Sequence, residues 1–238
     1  MFPGMLSDVK ALGSTSPYAA SCQSVHARGW VLFTAGQPAS GIFIIEKGCV
    51  KLSISPGRGR SLILGFFGPQ SVLGLPATIL GFPHESTAEA TKSVTVRFFA
   101  RARLLQHMRA GATGLWAAQV VSRMFYFTLC EIETLWLTDS VDQKLSRFLL
   151  SFCSPRNGAR APVQLPLDLT HEDIAQRIGV SRESVTRFFS RSKKSGILDL
   201  KHSVLTTVDI ARLERLADVS ADLNSAAIPP FGVRQTLV

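Results

Sequence analysis

Apolar and polar residues recur at two different periods along this chain, and the change of period divides it. Between residues 30 and 54 the apolar positions come in short blocks cut by glycine. Trp30-Val31-Leu32-Phe33 is followed by Gly36-Gln37-Pro38, then Ile42-Phe43-Ile44-Ile45 by Gly48, and Val50-Lys51-Leu52-Ser53-Ile54 alternates strictly. Blocks of this length, with glycine at their ends, predict strands that turn back sharply, the punctuation of a β-roll or jelly roll. Ser55-Pro56-Gly57-Arg58-Gly59-Arg60 reads as a hairpin tip, Ser61 to Phe67 as the returning strand, and a short helix is expected earlier, around Met5 to Leu12. From Gly114 to Trp136 the pattern becomes helical: GLWAAQVVSRMFYFTLCEIETLW lacks proline and internal glycine and is apolar nearly all round, so the helix is buried on more than one side. Ala118, Ser122, Phe125, Leu129, Ile132 and Trp136 follow the 4-3-4-3-4 spacing of a parallel coiled-coil seam. Val120, Met124 and Phe127 lie on the opposite face, available to the β-roll; a monomeric core helix would show the same period.

Two short helices meeting at a glycine follow in LTHEDIAQRIGVSRESVTRFFSRSKKSGIL, residues 169–198. Thr170 stands as an N-cap, with Glu172 and Asp173 in the first turn, where acids complement the helix dipole. Ile174, Ala175 and Ile178 form one buried stripe, Gly179 supplies the positive φ of the turn, Val180 plugs the corner and Ser181 caps the next helix. Val185, Phe188 and Phe189 face the core, which leaves Arg182, Glu183, Thr186 and Arg187 outside. In a helix-turn-helix the second helix enters the major groove by such residues. Arginine donates twice to guanine O6 and N7 there, and glutamate accepts from cytosine N4. The plainer alternative is a helical hairpin with a solvated polar face. Asp139 or Ser140 is expected to cap a helix over Val141 to Phe152, with Thr138-Asp139-Ser140 as a hinge. Val163 to Leu167 reads as a short strand, and Ile197–Leu200 with Ser203–Val208 as a two-stranded wing carrying Lys201 and His202 at its tip.

Composition and charge narrow the choices. At 238 residues and 46% hydrophobic content the chain holds one or two true cores, and its net charge of +9 suits a polyanionic partner. The excess is spread along the chain: 12 Lys/Arg against 6 Asp/Glu in residues 1–138, and 14 against 11 in residues 139–238. Only locally does it mark a face, where Arg182, Arg187, Arg191, Lys193, Lys194 and Lys201 oppose Glu183 and Asp199. A second basic run, Arg97, Arg101, Arg103 and Arg109, reads as solvated surface, with flanking DNA or polymerase as the alternative. The first 22 residues lack the basic start and unbroken apolar core of a secretory signal, so a cytoplasmic protein is expected. Ser61 to Pro83 carries no charge, but Gly65, Gly68, Pro69, Gly74, Pro76 and Gly81 cut it into strand-sized pieces and one short turn of helix rather than a membrane span. Cys22, Cys49, Cys130 and Cys153 are widely spaced and read as reduced, separately buried thiols. No nucleophile motif, metal-ligand spacing or phosphate loop is present in the sequence, so no enzyme activity is expected.

The run Ser181-Arg182-Glu183-Ser184-Val185-Thr186-Arg187 resembles the recognition helix of the cyclic-AMP receptor protein branch of the CRP/FNR transcription regulators, which pairs Arg-Glu with an Arg four residues after the Glu. LFTAGQPASGIFIIEKGCVKL resembles their cyclic-nucleotide-binding domain, and the likeness runs from about Gly29 to Leu213. The fold it implies is α+β. The β-roll sensor occupies residues 1–112, a long dimerisation helix 113–138, a winged helix-turn-helix 139–216 and a tail 217–238. The implied DNA-contacting set is Thr170, Ser181, Arg182, Glu183, Ser184, Thr186, Arg187, Lys201 and His202, with a homodimer reading a palindrome of TGTGA-like half-sites. Relatives touch RNA polymerase through the loop Ser154 to Pro162, which here reads equally as an exposed turn.

Relatives that bind cyclic AMP use a Gly-Glu pair for the ribose and an Arg-Ser or Arg-Thr pair for the phosphate. The matching positions are Gly74-Leu75 and His84-Glu85-Ser86-Thr87. Leucine accepts no hydrogen bond, and a glutamate repels phosphate, so a degenerate pocket without cyclic-nucleotide binding is expected. An iron–sulfur cluster is not expected, since only Cys22 lies near the N-terminus, and neither is heme, since the cysteine that accompanies its histidine is absent. The alternative is an effector-gated member sensing a cyclic nucleotide or a heme-bound gas.

Overall fold

The computed structural model describes residues 21–55, 57, 61–109, 111–132, 140–150, 164–166, 169–201, 204–207 and 209–217. Several expectations fall outside these residues: the helix over Met5 to Leu12, most of the hairpin tip, Trp136, the hinge at Thr138-Asp139, Cys153, the loop Ser154 to Pro162, His202 and the tail. Contacts group the chain into two compact units, with the boundary in the long helix between Tyr126 and Phe127.

Eight strands build the first unit: β1 (Cys22–His26), β2 (Val31–Phe33), β3 (Gly41–Lys47), β4 (Val50–Ile54), β5 (Leu62–Phe67), β6 (Val72–Leu73), β7 (Thr87–Ala90) and β8 (Val94–Ala100). They form two four-stranded sheets, ordered β1-β8-β3-β6 and β2-β7-β4-β5, with antiparallel ladders such as Ile44 opposite Arg97 and Leu52 opposite Ala88. Strand β3 explains why its sequence is an unbroken apolar run. Ile45 packs with Phe33, Val50, Leu52 and Val96, while Ile42 and Ile44 point the other way into a core shared with helices. A strand covered on both faces has no polar alternation to show. Those helices are α1 (Leu75–Leu80), α2 (Arg101–Arg109) and α3 (Ala112–Glu131). They supply Leu75, Leu104, Trp116, Ala117 and Val120 to this core, with Met124 packed against it.

The uncharged stretch after Ser61 is thus β5, β6 and the six-residue α1, and among the described residues no helix is long and apolar enough to cross a membrane. Two expectations need correction. Among the described residues no cysteine is disulfide-bonded, but none is buried: Cys22 begins the edge strand β1 and is exposed, and Cys49 and Cys130 are half-buried. The basic run is not simply solvated either, because Arg97 Nε donates to Glu46 Oε1 at 2.6 Å and Arg101 Nε to the Thr78 carbonyl at 2.8 Å.

The second unit holds α4 (Val141–Leu150), β9 (Gln164–Pro166), α5 (His171–Ile178), α6 (Arg182–Lys194), β10 (Leu198–Lys201), β11 (Val204–Thr207) and α7 (Ile210–Leu216). Ser140 caps α4, its hydroxyl 3.5 Å from the Gln143 amide. Leu145 and Leu149 of α4, Ile174 and Ile178 of α5, Val185 and Phe188 of α6, Leu198 of β10 and Leu213 of α7 close one core. Truncating a fully buried ring such as Phe188 in it would cost about 3–5 kcal/mol. The wing has three strands, ordered β10-β11-β9, because Leu205 pairs with Leu165 as well as with Leu200. The fold is α+β: a β-roll of two antiparallel sheets, a long helix and a winged helix-turn-helix.

Candidate nucleic-acid interface

The start of α5 is locked by a capping box: Thr170 Oγ1 accepts from the Asp173 amide at 3.0 Å, and the Thr170 amide donates to Asp173 Oδ2 at 2.9 Å. Helix α5 stops at Gly179, whose φ of 71° lets its amide turn back onto the Ala175 carbonyl. Ser181 then caps α6, accepting from the Ser184 amide at 3.2 Å. With Val185, Phe188 and Phe189 buried against α5, helical geometry forces Arg182, Glu183, Thr186 and Arg187 outward, and all four are exposed.

These side chains are arranged rather than loose. Arg187 Nη2 lies 3.3 Å from Ser184 Oγ, which itself lies 3.0 Å from Ser181 Oγ. The Glu183 carboxyl is held below the usual carboxylate range, first by its own backbone N–H at the helix N-terminus, then by the Ser181 hydroxyl, with Arg182 and Arg187 adding to the effect. It stays an acceptor between two permanent donors. At the other end of α6, Arg191 grips Asp142 of α4 through both carboxylate oxygens, at 2.7 and 3.0 Å. Lys201 closes β10, its backbone paired with Val204. The hydroxyls of Thr170 and Ser181 are occupied by capping. His171, at the first position of α5, went unnoticed in the sequence, yet its Nδ1 lies 3.0 Å from Thr186 Oγ1.

The residues expected to form a degenerate effector pocket lie in the first unit. Gly74 precedes α1 in the left-handed region, φ 77°, and Leu75 is fully buried in the apolar core. His84 is buried and its ring stacks on Phe33, centroids 3.8 Å apart at 12°. A Cβ on Gly74 would stand 2.8 Å from His84 Cε1, so the ring fills the space next to that turn. Burial lowers the His84 pKa, with the Glu85 carboxylate acting in the opposite sense. Glu85 is exposed, Ser86 is buried, and Thr87 Oγ1 accepts from the Ala35 amide at 3.1 Å. Among the described residues no three His, Cys, Asp or Glu side chains are grouped to hold a metal ion.

Of the spaced residues, Ala118, Ser122, Phe125 and Leu129 on α3 and Ile132 just past its end are all exposed, Phe125 by 65%. Leu115, 66% exposed, continues the same spacing one step toward the N-terminus, and Tyr126 widens the strip. Both were legible as apolar neighbours of the seam and were passed over. Residues 133–139, Trp136 among them, lie outside the described residues. Near its end Glu131 pairs with the buried Arg177 of α5.

A β-roll, a long helix with an uncovered apolar strip, and a winged helix-turn-helix whose second helix bares two arginines around a glutamate define a DNA-binding regulator with a sensor-type domain. Residues 23–110 match the cyclic nucleotide-binding domain and residues 143–216 the Crp-like helix-turn-helix domain. The chain belongs to the CRP/FNR superfamily of transcription regulators. It is 26% identical over 196 residues to the nitrogen fixation regulation protein FixK of Bradyrhizobium diazoefficiens, covering 79% of each chain. It is 28% identical over 203 residues to a CRP-like cAMP-activated global transcriptional regulator of Mycobacterium tuberculosis, covering 80% of this chain and 85% of that one. The structure of FixK2 from Bradyrhizobium japonicum superposes with a TM-score of 0.69 at 22% identity, over 84% of this chain and 99% of the other. Both of these sequence relatives are named as regulators.

Proposed function

We propose that the protein is a homodimeric, sequence-specific regulator that binds a palindromic operator with TGTGA-like half-sites and does not respond to cyclic AMP. The observation that carries the reading is the uncovered N-terminal face of α6, where Arg182 and Arg187 flank an ionised Glu183 on a helix anchored by a buried core. Each arginine donates to guanine O6 and N7, and Glu183 accepts from cytosine N4. Lys201 and His202 on the wing, with Thr170, Ser181 and Ser184 at the caps, are the proposed backbone-contacting set. A second copy covers the strip from Ala118 to Ile132 and on to Trp136, placing two α6 helices about 34 Å apart, one DNA turn. In this reading the protein works in the cytoplasm with its DNA and contacts RNA polymerase there.

Loss of cyclic-nucleotide binding is supported by the buried Leu75 and by the His84 ring resting on Phe33. The likeness of residues 23–110 to a cyclic nucleotide-binding domain keeps one second reading in view, a member gated by a cyclic nucleotide or a heme-bound gas. Calorimetry with cyclic AMP and cyclic GMP, and a visible absorption spectrum, separate the two; micromolar binding or a Soret band favours the second.

Selection of operators from random DNA by the purified protein tests the main reading. Arg182→Ala and Arg187→Ala should each cost about 1–3 kcal/mol on the selected site and relax base preference. Equal losses on random DNA would reduce them to phosphate contacts, and failure to enrich any sequence would defeat the proposal.

A further inference from the structure

Thr186 sits on the exposed face of α6, between Arg182 and Arg187, but its hydroxyl is turned back into the protein. Thr186 Oγ1 donates to the Arg182 carbonyl, 3.0 Å away, and lies 3.0 Å from His171 Nδ1. A hydroxyl has one proton, and the carbonyl takes it, so Nδ1–H of the imidazole is the donor in the second contact. Burial first, and the Arg182 charge second, hold the His171 pKa below its ordinary value, so at neutral pH the ring carries a single proton, on Nδ1. The ring is not free to swing away: it stacks on Phe189, centroids 5.1 Å apart at 11°, and Phe189 is buried edge-on against Phe188. Thr186 is therefore exposed with its hydroxyl proton and one oxygen lone pair engaged, which leaves its γ-methyl as the freer group to face a base. In the major groove a threonine methyl is complementary to the 5-methyl of thymine, whereas a free threonine hydroxyl bonds several bases without distinguishing them.

We propose that His171 is a specificity-determining positioning residue, which holds the Thr186 hydroxyl so that Thr186 reads the 5-methyl group of one thymine in each half-site. The proposal rests on the seating of α6 in the major groove proposed above. It separates two tasks on one helix face: Arg182, Glu183 and Arg187 read G·C pairs by hydrogen bonds, and Thr186 reads an A·T pair by apolar contact. His171 touches no base; it decides which end of Thr186 faces the DNA.

The test is competition binding at pH 7.5 between the selected operator and copies in which each thymine in turn is replaced by deoxyuridine, which lacks only the methyl. The wild-type protein should lose about 3- to 10-fold at one symmetric pair of positions, the size expected for one buried methyl. His171→Ala should erase that ratio while keeping the preference for guanine at the positions read by Arg182 and Arg187. His171→Asn, whose amide nitrogen stands where Nδ1 does, should restore it. Thr186→Val, which keeps a methyl without a hydroxyl, should retain the ratio even in the His171→Ala background, so the idea remains testable if His171→Ala alone is poorly folded. Two results overturn the inference: no thymine position sensitive to the methyl in the wild type, or a His171→Ala protein that weakens on operator and random DNA alike with its thymine-to-deoxyuridine ratio intact. Failure to select any operator would sink the seating of α6 instead, and the two failures are told apart by whether guanine preference survives.

Discussion

Alanine at Gly74 tests whether the His84 ring fills the space beside the turn before α1. The turn before α1 has φ 77° and ψ 9°, and an L-residue there pays about 1–2 kcal/mol in backbone strain. The added Cβ would meet His84 Cε1 at 2.8 Å, well inside carbon–carbon contact distance, with Nδ1 in ordinary contact at 3.4 Å. The ring has little room to yield, since it is buried and lies 3.8 Å from the Phe33 ring, itself buried. Overpacking of this kind costs about 1–3 kcal/mol. Gly74→Ala should then destabilise the β-roll by about 2–5 kcal/mol in all, strain and overlap together. In a His84→Ala background only the strain survives, about 1–2 kcal/mol. The assay is a double-mutant cycle in urea followed by tryptophan fluorescence, for which Trp30 and Trp116 both report on the first unit. A coupling of about 1–3 kcal/mol between the two positions is expected. If Gly74→Ala costs the same with and without the imidazole, the ring does not fill that space and a small effector has room beside the turn.

Ser146 carries a fully buried hydroxyl with no hydrogen-bond partner among the described residues, so Ser146→Ala should raise stability by about 1 kcal/mol in the same denaturation experiment; a loss would mean that the hydroxyl is satisfied in solution. Leu129→Glu places a charge on the uncovered strip of α3, where the side chain is 48% exposed, so the chain should fold yet sediment as a monomer and lose the operator complex; a dimer that survives would move the interface elsewhere. Stability should also fall on acidification. His84 and His171 both have native pKa values lowered mainly by burial, so the unfolded chain binds the extra protons first. Their contribution is intact above the ordinary value of 6.5 and is lost as pH drops from there through the lowered native values. His84→Gln with His171→Gln should flatten that slope in urea titrations between pH 7.5 and 5, and an unchanged slope would assign it to other groups.

The recognition unit was legible because its signals are local. Thr170 bonds Asp173 three residues on, Gly179 bonds Ala175, Ser181 bonds Ser184, and a helix with Val185, Phe188 and Phe189 inside has Arg182, Glu183 and Arg187 outside by geometry alone. The strands of the β-roll were legible from glycine-bounded apolar blocks, and the strip on α3 from its spacing, though Leu115 was missed. Contacts between distant positions were not. Arg97 looked free until β3 brought Glu46 beside it, and the wing looked two-stranded until Leu165 paired with Leu205. Helix α7, which closes the core with Leu213, gave no strong period over its seven residues.

Periodicity, caps and turns are properties of a few consecutive residues, so the order of elements and the outward face of α6 were written in the chain itself. Folding settled what depends on long loops closing: that His84 comes to rest on Phe33, 51 positions away, and that His171 Nδ1 comes within 3.0 Å of the Thr186 hydroxyl. No local pattern encodes such meetings, because their free energy appears only once the intervening chain has been packed.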